Sequence, residues 1–226
     1  MLVQAFQDIL NASKGQGWIM EPEAKRLLSL VQVEVPLFKW TDDVDEAVFF
    51  AGKIGYPVVA KVVSPAVVHK SEHGGVVPRV GSEKELRHVF SQFSRVDSFA
   101  GILVEERLSG IELIIGGKMD YQFGPVVLLG MGGTAAEIYQ DISLRMAPLN
   151  ESDIRSMCMD LKSYPLLEGY RGSKGIHFGK LAEMMIVFSK LLMELEDRVE
   201  SIDLNPVMCS PENCVVADAR IILSKQ

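Results

Sequence analysis

The chain has only three cysteines, Cys158, Cys209 and Cys214, an odd number with no CxxC spacing. Neither a disulfide framework nor a zinc site is implied, and a reducing cytoplasm fits best, with a Cys209–Cys214 pairing across a hairpin as the alternative. No apolar run approaches the roughly 18 residues that span a bilayer, and Asp8 stands where a signal peptide carries its apolar segment. A soluble, intracellular protein is expected. Nowhere do five basic residues cluster, and 30 Asp and Glu against 23 Lys and Arg leave a net charge of −7. Broad adhesion to nucleic acid or anionic membrane is therefore disfavoured. A local phosphate site is not, since one lysine and a few backbone amides suffice for it. Internal repeats and low-complexity tracts are absent as well.

What is present is a globular composition, 48% hydrophobic and 23% charged over 226 residues. That length predicts one or two domains with cores of their own, and is short for a self-contained two-substrate enzyme. Leu2, Phe6, Ile9 and Leu10 give residues 1–13 helical spacing, which Gly15 and Gly17 break. Glu21-Pro22-Glu23 opens a second helix, and Val33–Trp40 reads as a strand. Thr41 is the expected N-cap of a helix with an acidic first turn that stops at Gly55. Tyr56–Val63, Gly75–Val80 and Ile102–Glu106 read as strands, with a Ser82–Glu85 capping box opening the helix between the last two.

This alternation predicts a compact α/β lobe. Beyond it, Glu112–Lys118, Gly124–Leu129 and Leu144–Ala147 follow one another as in an antiparallel sheet. Asn150 caps a helix through Lys162, a long amphipathic helix covers His177 to about Glu196, and Glu200–Leu204 and Cys214–Ala217 end the chain as strands. The expected division is an N-terminal helix and linker over residues 1–18, packing on the second lobe, a first lobe over 19–107 and a second over 108–226.

Four stretches carry residue types unusual for plain structure. In Tyr56-Pro-Val-Val-Ala-Lys61 a lysine ends a buried-looking strand, where it either snorkels to solvent or faces an anion. In Val68-His69-Lys70-Ser71-Glu72-His73-Gly74-Gly75 the glycines allow close backbone approach, and Lys70, Ser71 and amides suit phosphate oxygens; an ordinary polar hairpin loop is the alternative. Gly130-Met-Gly132-Gly133-Thr134 leaves an apolar strand but has neither the P-loop lysine nor GxGxxG, so a tight turn stays open. In Asp203-Leu-Asn205-Pro206 the first and third side chains share a strand face. If the next strand pairs back, Asp218 joins them, a set of oxygens suited to Mg²⁺, although turn chemistry also explains Asn-Pro.

In this order the four stretches resemble the ATP-grasp fold, an α/β (α+β) architecture of two lobes with nucleotide between them. More closely they resemble the β subunit of the ADP-forming (NDP-forming) acyl-CoA synthetases, relatives of succinyl-CoA synthetase. The matching segments are GYPVVAKVVSPAVVHKSEHGGV, LVEERLSGIELIIGGKMDYQFGPVVLLGMGG, DISLRMAPL and SIDLNPV with VADARI, over about residues 20–223. The resemblance implies that Lys61 contacts the nucleotide phosphates and that the Gly74-Gly75 loop, with Ser71, closes over them. Val104, Glu105, Glu106 and Arg107 would form the hinge strand that reads adenine, and Glu112 would reach the ribose. Asn205 and Asp218 would bind Mg²⁺. His69 would carry phosphate transiently and Asp203 would orient a phosphohistidine.

The chemistry agrees with these types, because phosphoryl transfer to a histidine needs charge neutralisation and in-line positioning rather than a strong base. The cofactors implied are ATP or ADP and Mg²⁺, with CoA held mainly by a partner. That partner is an α subunit carrying the CoA-binding and acid-activating domains, in an αβ or α₂β₂ complex; no nucleic acid and no membrane are implied. A free-standing ATP-grasp carboxylate ligase and a non-catalytic nucleotide-sensing module are the alternatives. His73, His88 and His177 read as incidental or structural.

Overall fold

The computed structural model describes residues 2–67, 70, 74–133 and 140–224. In chain order the first elements are α1 (Leu2–Ser13), β1 (Trp18–Ile19), α2 (Glu21–Leu30), β2 (Phe38–Thr41), α3 (Val44–Ile54), β3 (Val58–Val63), β4 (Val76–Val80), α4 (Glu83–Phe93) and β5 (Gly101–Glu106). Then follow β6 (Ile111–Asp120), β7 (Gly124–Met131), β8 (Ile142–Met146), α5 (Glu151–Asp160), α6 (Tyr164–Glu168), α7 (Phe178–Glu194), β9 (Val199–Cys209), β10 (Cys214–Val216) and β11 (Ala219–Leu223). They form two units, Pro36–Leu108 and the combination of Met1–Val35 with Ser109–Gln226. No helix among the described residues is long and apolar enough to cross a membrane.

In the smaller unit the strands run in the order β2-β5-β3-β4, every pair antiparallel. Its core joins Ala47 and Ala51 of α3 and Leu86, Val89 and Phe93 of α4 to Val58, Ala60, Val62, Ile102 and Val104 on one sheet face. The start of α3 differs from the expected one. Thr41 is still in the ladder, paired with Ile102, so Asp43 caps the helix by accepting the Asp45 and Glu46 amides. The Thr41 hydroxyl braces the turn, accepting from the Asp43 amide at 3.1 Å and donating to Glu46 at 2.9 Å. At α4 the Ser82 hydroxyl accepts the Glu85 amide at 3.3 Å, and the Glu85 carboxylate returns to the Gly81 amide at 2.7 Å, one residue short of a full box.

The larger unit holds a sheet ordered β1-β11-β9-β6-β7-β8, with β10 also paired to β9 and all pairs antiparallel. Burial alternates along its strands. Leu113, Ile115, Val127, Leu129, Ile202 and Leu204 face a core completed by Leu181, Met185, Phe188 and Leu192 of α7 and Ile154 and Met157 of α5. Asn150 opens α5 with a full capping box to Asp153. His177 caps α7, its Nδ1 accepting the Lys180 amide at 3.2 Å. The opposite sheet face carries Ile114, Gly116, Lys118, Asp203, Arg220 and Ile222, all at least partly exposed.

Residues 19–35 depart from the expected division. Trp18 and Ile19 pair with Ile222 and Ile221, and Ala24, Leu27, Leu28 and Val33 enter the larger core. The expected strand Val33–Trp40 is thereby cut. Val33 and Val35 serve one core, whereas Phe38–Thr41 pairs with β5 in the other unit. Helix–strand alternation alone hides such a boundary, because both halves of the run are apolar. Cys209 and Cys214 do meet as cross-strand partners, but all three cysteines are free thiols. Burial pushes the Cys158 thiol up to about 11.

Candidate nucleotide site

On the smaller unit, Lys61 ends up buried rather than snorkelling. Register pairs Lys61 with Leu103 and Val59 with Glu105, which puts the Lys61 and Glu105 side chains diagonally on one face. Lys61 Nζ lies 2.8 Å from Glu105 Oε1, the two side chains 6% and 3% exposed. Removing two charges from water this far is costly, and the pairing repays the desolvation only while both are present. The sequence named both residues but not that each is the other's partner.

Val104 and Glu105 lie in β5, an inner strand of that sheet, laddered to β2 on one side and β3 on the other. Glu106 donates its amide to the Leu37 carbonyl at 3.1 Å and accepts the Leu37 amide on its carboxylate at 2.9 Å. Arg107 is the member of the expected hinge whose main chain lies past the strand end. The glycine pair divides in role. A Cβ on Gly75 would stand 2.6 Å from Val62 Cγ1, and its amide donates to the Lys70 carbonyl at 2.7 Å, so close packing on β3 fixes Gly75. Gly74 has φ +66 and open space around it, as a turn glycine requires. His69, Ser71 and His73 lie outside the described residues.

On the larger unit, Glu112 is exposed on β6 and meets the glycine loop after β7. Gly132 donates to the Glu112 carbonyl at 2.7 Å, and a Cβ there would lie 2.9 Å from Glu112 Cβ. That approach explains Gly132 without a ligand. Just before β8, the Asp141 carboxylate accepts the Lys162 amide at 2.7 Å, the Ser163 amide at 2.9 Å and the Ser163 hydroxyl. Burial acts to raise this carboxyl, but the Ser163 and Lys162 hydrogen bonds outweigh it and hold Asp141 below the ordinary aspartate value.

The acidic stretch assembles through strand pairing. Arg220 pairs with Asp203 and Ala219 with Leu204, and the Asn205 amide donates to the Asp218 carbonyl at 3.1 Å. The register slip in β9 opposite β6, between Leu113–Val207 and Ile115–Leu204, sets Asn205 and Pro206 against the single residue Ile114, a bulge of the kind that re-aims side chains. Asp203 and Asp218 are half-buried and Asn205 is exposed. Arg220, to which the sequence reading gave no role, stands with Nη2 3.4 Å from Asp203 Oδ2. Only the ladder register reveals it.

Among the described residues no group of three or more His, Cys, Asp or Glu is placed to hold a metal alone. The Asp218 carboxylate and the Asn205 amide oxygen are donors of the kind Mg²⁺ takes, an ion that uses few protein ligands and fills its shell with water and phosphate.

Comparison with known proteins identifies the fold and the family. The model of the ATP-grasp domain family matches residues 11–223. The β subunit of ADP-forming acetate–CoA ligase I from Pyrococcus furiosus is 37% identical over 98% of this chain and 99% of its own. The ADP-forming acetate–CoA ligase II of Archaeoglobus fulgidus is 37% identical over 92% of this chain, which spans only 31% of that longer protein. Among solved structures, the dinucleotide-forming acetyl-coenzyme A synthetase 1 of Ca. Korarchaeum cryptofilum superposes with a TM-score of 0.85 at 38% identity, covering 97% of this chain and all of the matched one. It was solved with coenzyme A and Mg-AMPPCP, its phosphohistidine segment pointing towards the nucleotide-binding site. With its fold, its paired strands and its near end-to-end match all in agreement, the chain belongs to the ATP-grasp family, among the β subunits of the ADP-forming acetate–CoA ligases.

Proposed function

We propose that this chain is the nucleotide-binding β subunit of a cytoplasmic acid–thiol ligase that runs acyl-CoA + ADP + Pi ⇌ carboxylic acid + CoA + ATP through a phosphohistidine relay. The observation that supports the reading is the β9–β11 pairing, which sets Asp203 beside Arg220 and brings the main chain of Asn205 against that of Asp218 from two separated motifs. On this reading Lys61 neutralises nucleotide phosphates, Gly74 and Ser71 belong to the loop over them, and Arg107 continues the hinge that meets the base. Glu112 reaches the ribose, and Asn205 and Asp218 hold Mg²⁺. His69 carries the phosphoryl group and Asp203 orients it. Bound Mg²⁺ supplies charge neutralisation for the transferring phosphoryl group.

An α subunit supplies the CoA and acid sites, as an αβ or α₂β₂ complex. The long Archaeoglobus relative, of which this chain matches under a third, supports the need for such a partner. The test is ATP formation from acetyl-CoA, ADP and phosphate by the co-produced chains. Activity requiring both chains and Mg²⁺, with acid-labile label from [γ-³²P]ATP, is expected. Ligation of an acid to an amine or thiol by this chain alone would overturn the reading in favour of a free-standing ligase.

A further inference from the structure

Glycine inside a strand is destabilising, because it brings backbone entropy and no side chain to pack. Strands β6 and β7 nevertheless contain four, Gly116, Gly117, Gly124 and Gly130. Three have reasons within the fold. Gly124 needs φ +70. A Cβ on Gly117 would come 2.7 Å from Leu192 Cδ1, and one on Gly130 would come 2.8 Å from Ile142 Cγ2. Gly116 has none. A Cβ there would meet Leu128 Cβ at 3.6 Å and the Ile202 carbonyl at 4.0 Å, both ordinary contacts, and its φ lies outside the left-handed region. The fold accepts a side chain at this position, and a β-branched one suits a strand better than glycine does.

The position of this gap is informative. Gly116 pairs with Asp203 on β9 and with Leu128 on β7, and Asp203 in turn pairs with Arg220, so one row across the open face reads Arg220, Asp203, Gly116, Leu128. A strand glycine not required by packing marks a place where another group approaches the backbone closely. The group must suit a carboxylate at one side and a leucine at the other. A flat heterocycle with one N–H does so, whereas a hydrated triphosphate does not.

We propose that Gly116 is the clearance position for the phosphorylated imidazole, which lies over the β6 backbone with its free ring N–H on Asp203 and its apolar edge towards Leu128. The inference rests on the function proposed above and adds the residue that admits the relay. The ring protonated on its free nitrogen is the better leaving group. As the nitrogen–phosphorus bond breaks, a β-phosphate oxygen of ADP forms the new bond to phosphorus. The imidazole departs neutral, its N–H still on Asp203, and no further proton or electron is exchanged. Arg220 at 3.4 Å holds the carboxylate in place for this contact.

The test uses the αβ complex with Gly116→Val and Gly116→Ala, and reads two quantities, equilibrium binding of Mg-ATP and acid-labile label from [γ-³²P]ATP on each chain. Displacing the ring by the thickness of a side chain should lower label by about 100-fold in Gly116→Val, on the scale of an ångström of misplacement. Gly116→Ala should fall between it and wild type, with Mg-ATP affinity within about threefold in both, because ground-state nucleotide binding is untouched. The chain that loses its label shows whether His69 or a partner histidine uses the seat. Unchanged label in either variant that melts like wild type, or Mg-ATP binding lost in parallel, overturns the proposal, the latter assigning the gap to the nucleotide. If Gly116→Val does not melt cooperatively, Gly116→Ala alone decides. Failure of wild type itself to form label would instead count against the proposed function.

Discussion

Lys61 and Glu105 are opposite charges 2.8 Å apart and almost wholly removed from water, so each is the condition for the other's burial. Lys61→Met leaves Glu105 charged without that partner and should destabilise the fold by about 3–5 kcal/mol, most of which Glu105→Leu in the same chain should restore. A denaturant-melt double-mutant cycle measures this coupling, and additive losses would contradict it. ATP formation should test the phosphate-binding role proposed for Lys61, because the double variant regains stability yet, on that proposal, should remain at least about tenfold less active. The Arg220–Asp203 pair is different, at 3.4 Å with side chains 30% and 36% exposed. Such a half-exposed pair contributes at most about 1 kcal/mol before screening. Arg220→Gln should therefore barely move the melting temperature while lowering ATP formation about tenfold, and Arg220→Lys should recover only part, since the planar fork is not reproduced. Equal activity of Arg220→Gln and wild type would leave the pair a surface contact. The two cases mark the limit of the sequence at this scale. Lysine, glycine and Asp-x-Asn were legible as residue types with a chemistry, but who faces whom depends on register, which no single residue announces.

At the scale of elements, strands and caps followed from periodicity wherever one face was buried and the other wet. Asn150 and the His177-to-Glu196 helix are examples. The reading failed at Val33–Trp40, where one apolar run serves two cores, and at β1, two residues long and therefore without a period. It also ended its last strand at Ala217 and so missed β11, although the break at Ala217-Asp218 is what lets the Asp218 main chain stand opposite that of Asn205. Asp141 joins such elements, tying the start of β8 to the turn after α5 by its carboxylate. Because its folded pKa lies below its unfolded one, the contribution is full above the ordinary aspartate pKa and is lost as pH falls through the folded value. Asp141→Asn should therefore lower stability near neutral pH by about 1–3 kcal/mol and flatten the acid limb of the stability curve, with wild type and variant converging in strong acid. Parallel acid limbs in pH-dependent melts would show that Asp141 stays uncoupled from folding.

At the scale of the whole molecule, the larger unit is closed by its two chain ends, since β1 from the N-terminal segment and β11 from the C-terminal one pair with each other. The intervening smaller unit has its own core, so it does not depend on that closure for its apolar contacts. Removing residues 1–19 would strip Leu10, Trp18 and Ile19, which are 4%, 8% and 0% exposed, from the larger unit and leave β11 as an unpaired edge beside Leu27 and Leu28. At about 1.5–3 kcal/mol for each of these three buried side chains the loss is of the order of 4.5–9 kcal/mol, comparable with the whole stability of an ordinary domain, about 5–15 kcal/mol. The truncated chain should then show two transitions, the larger unit melting far below wild type and self-associating through the bare β11 edge, the smaller unit melting nearly unchanged. Hydrogen exchange resolved by segment separates them. Protection lost in β9 and β11 but kept in β3 and β5 is the expected outcome, and uniform loss in both units would mean that the two fold as one cooperative body.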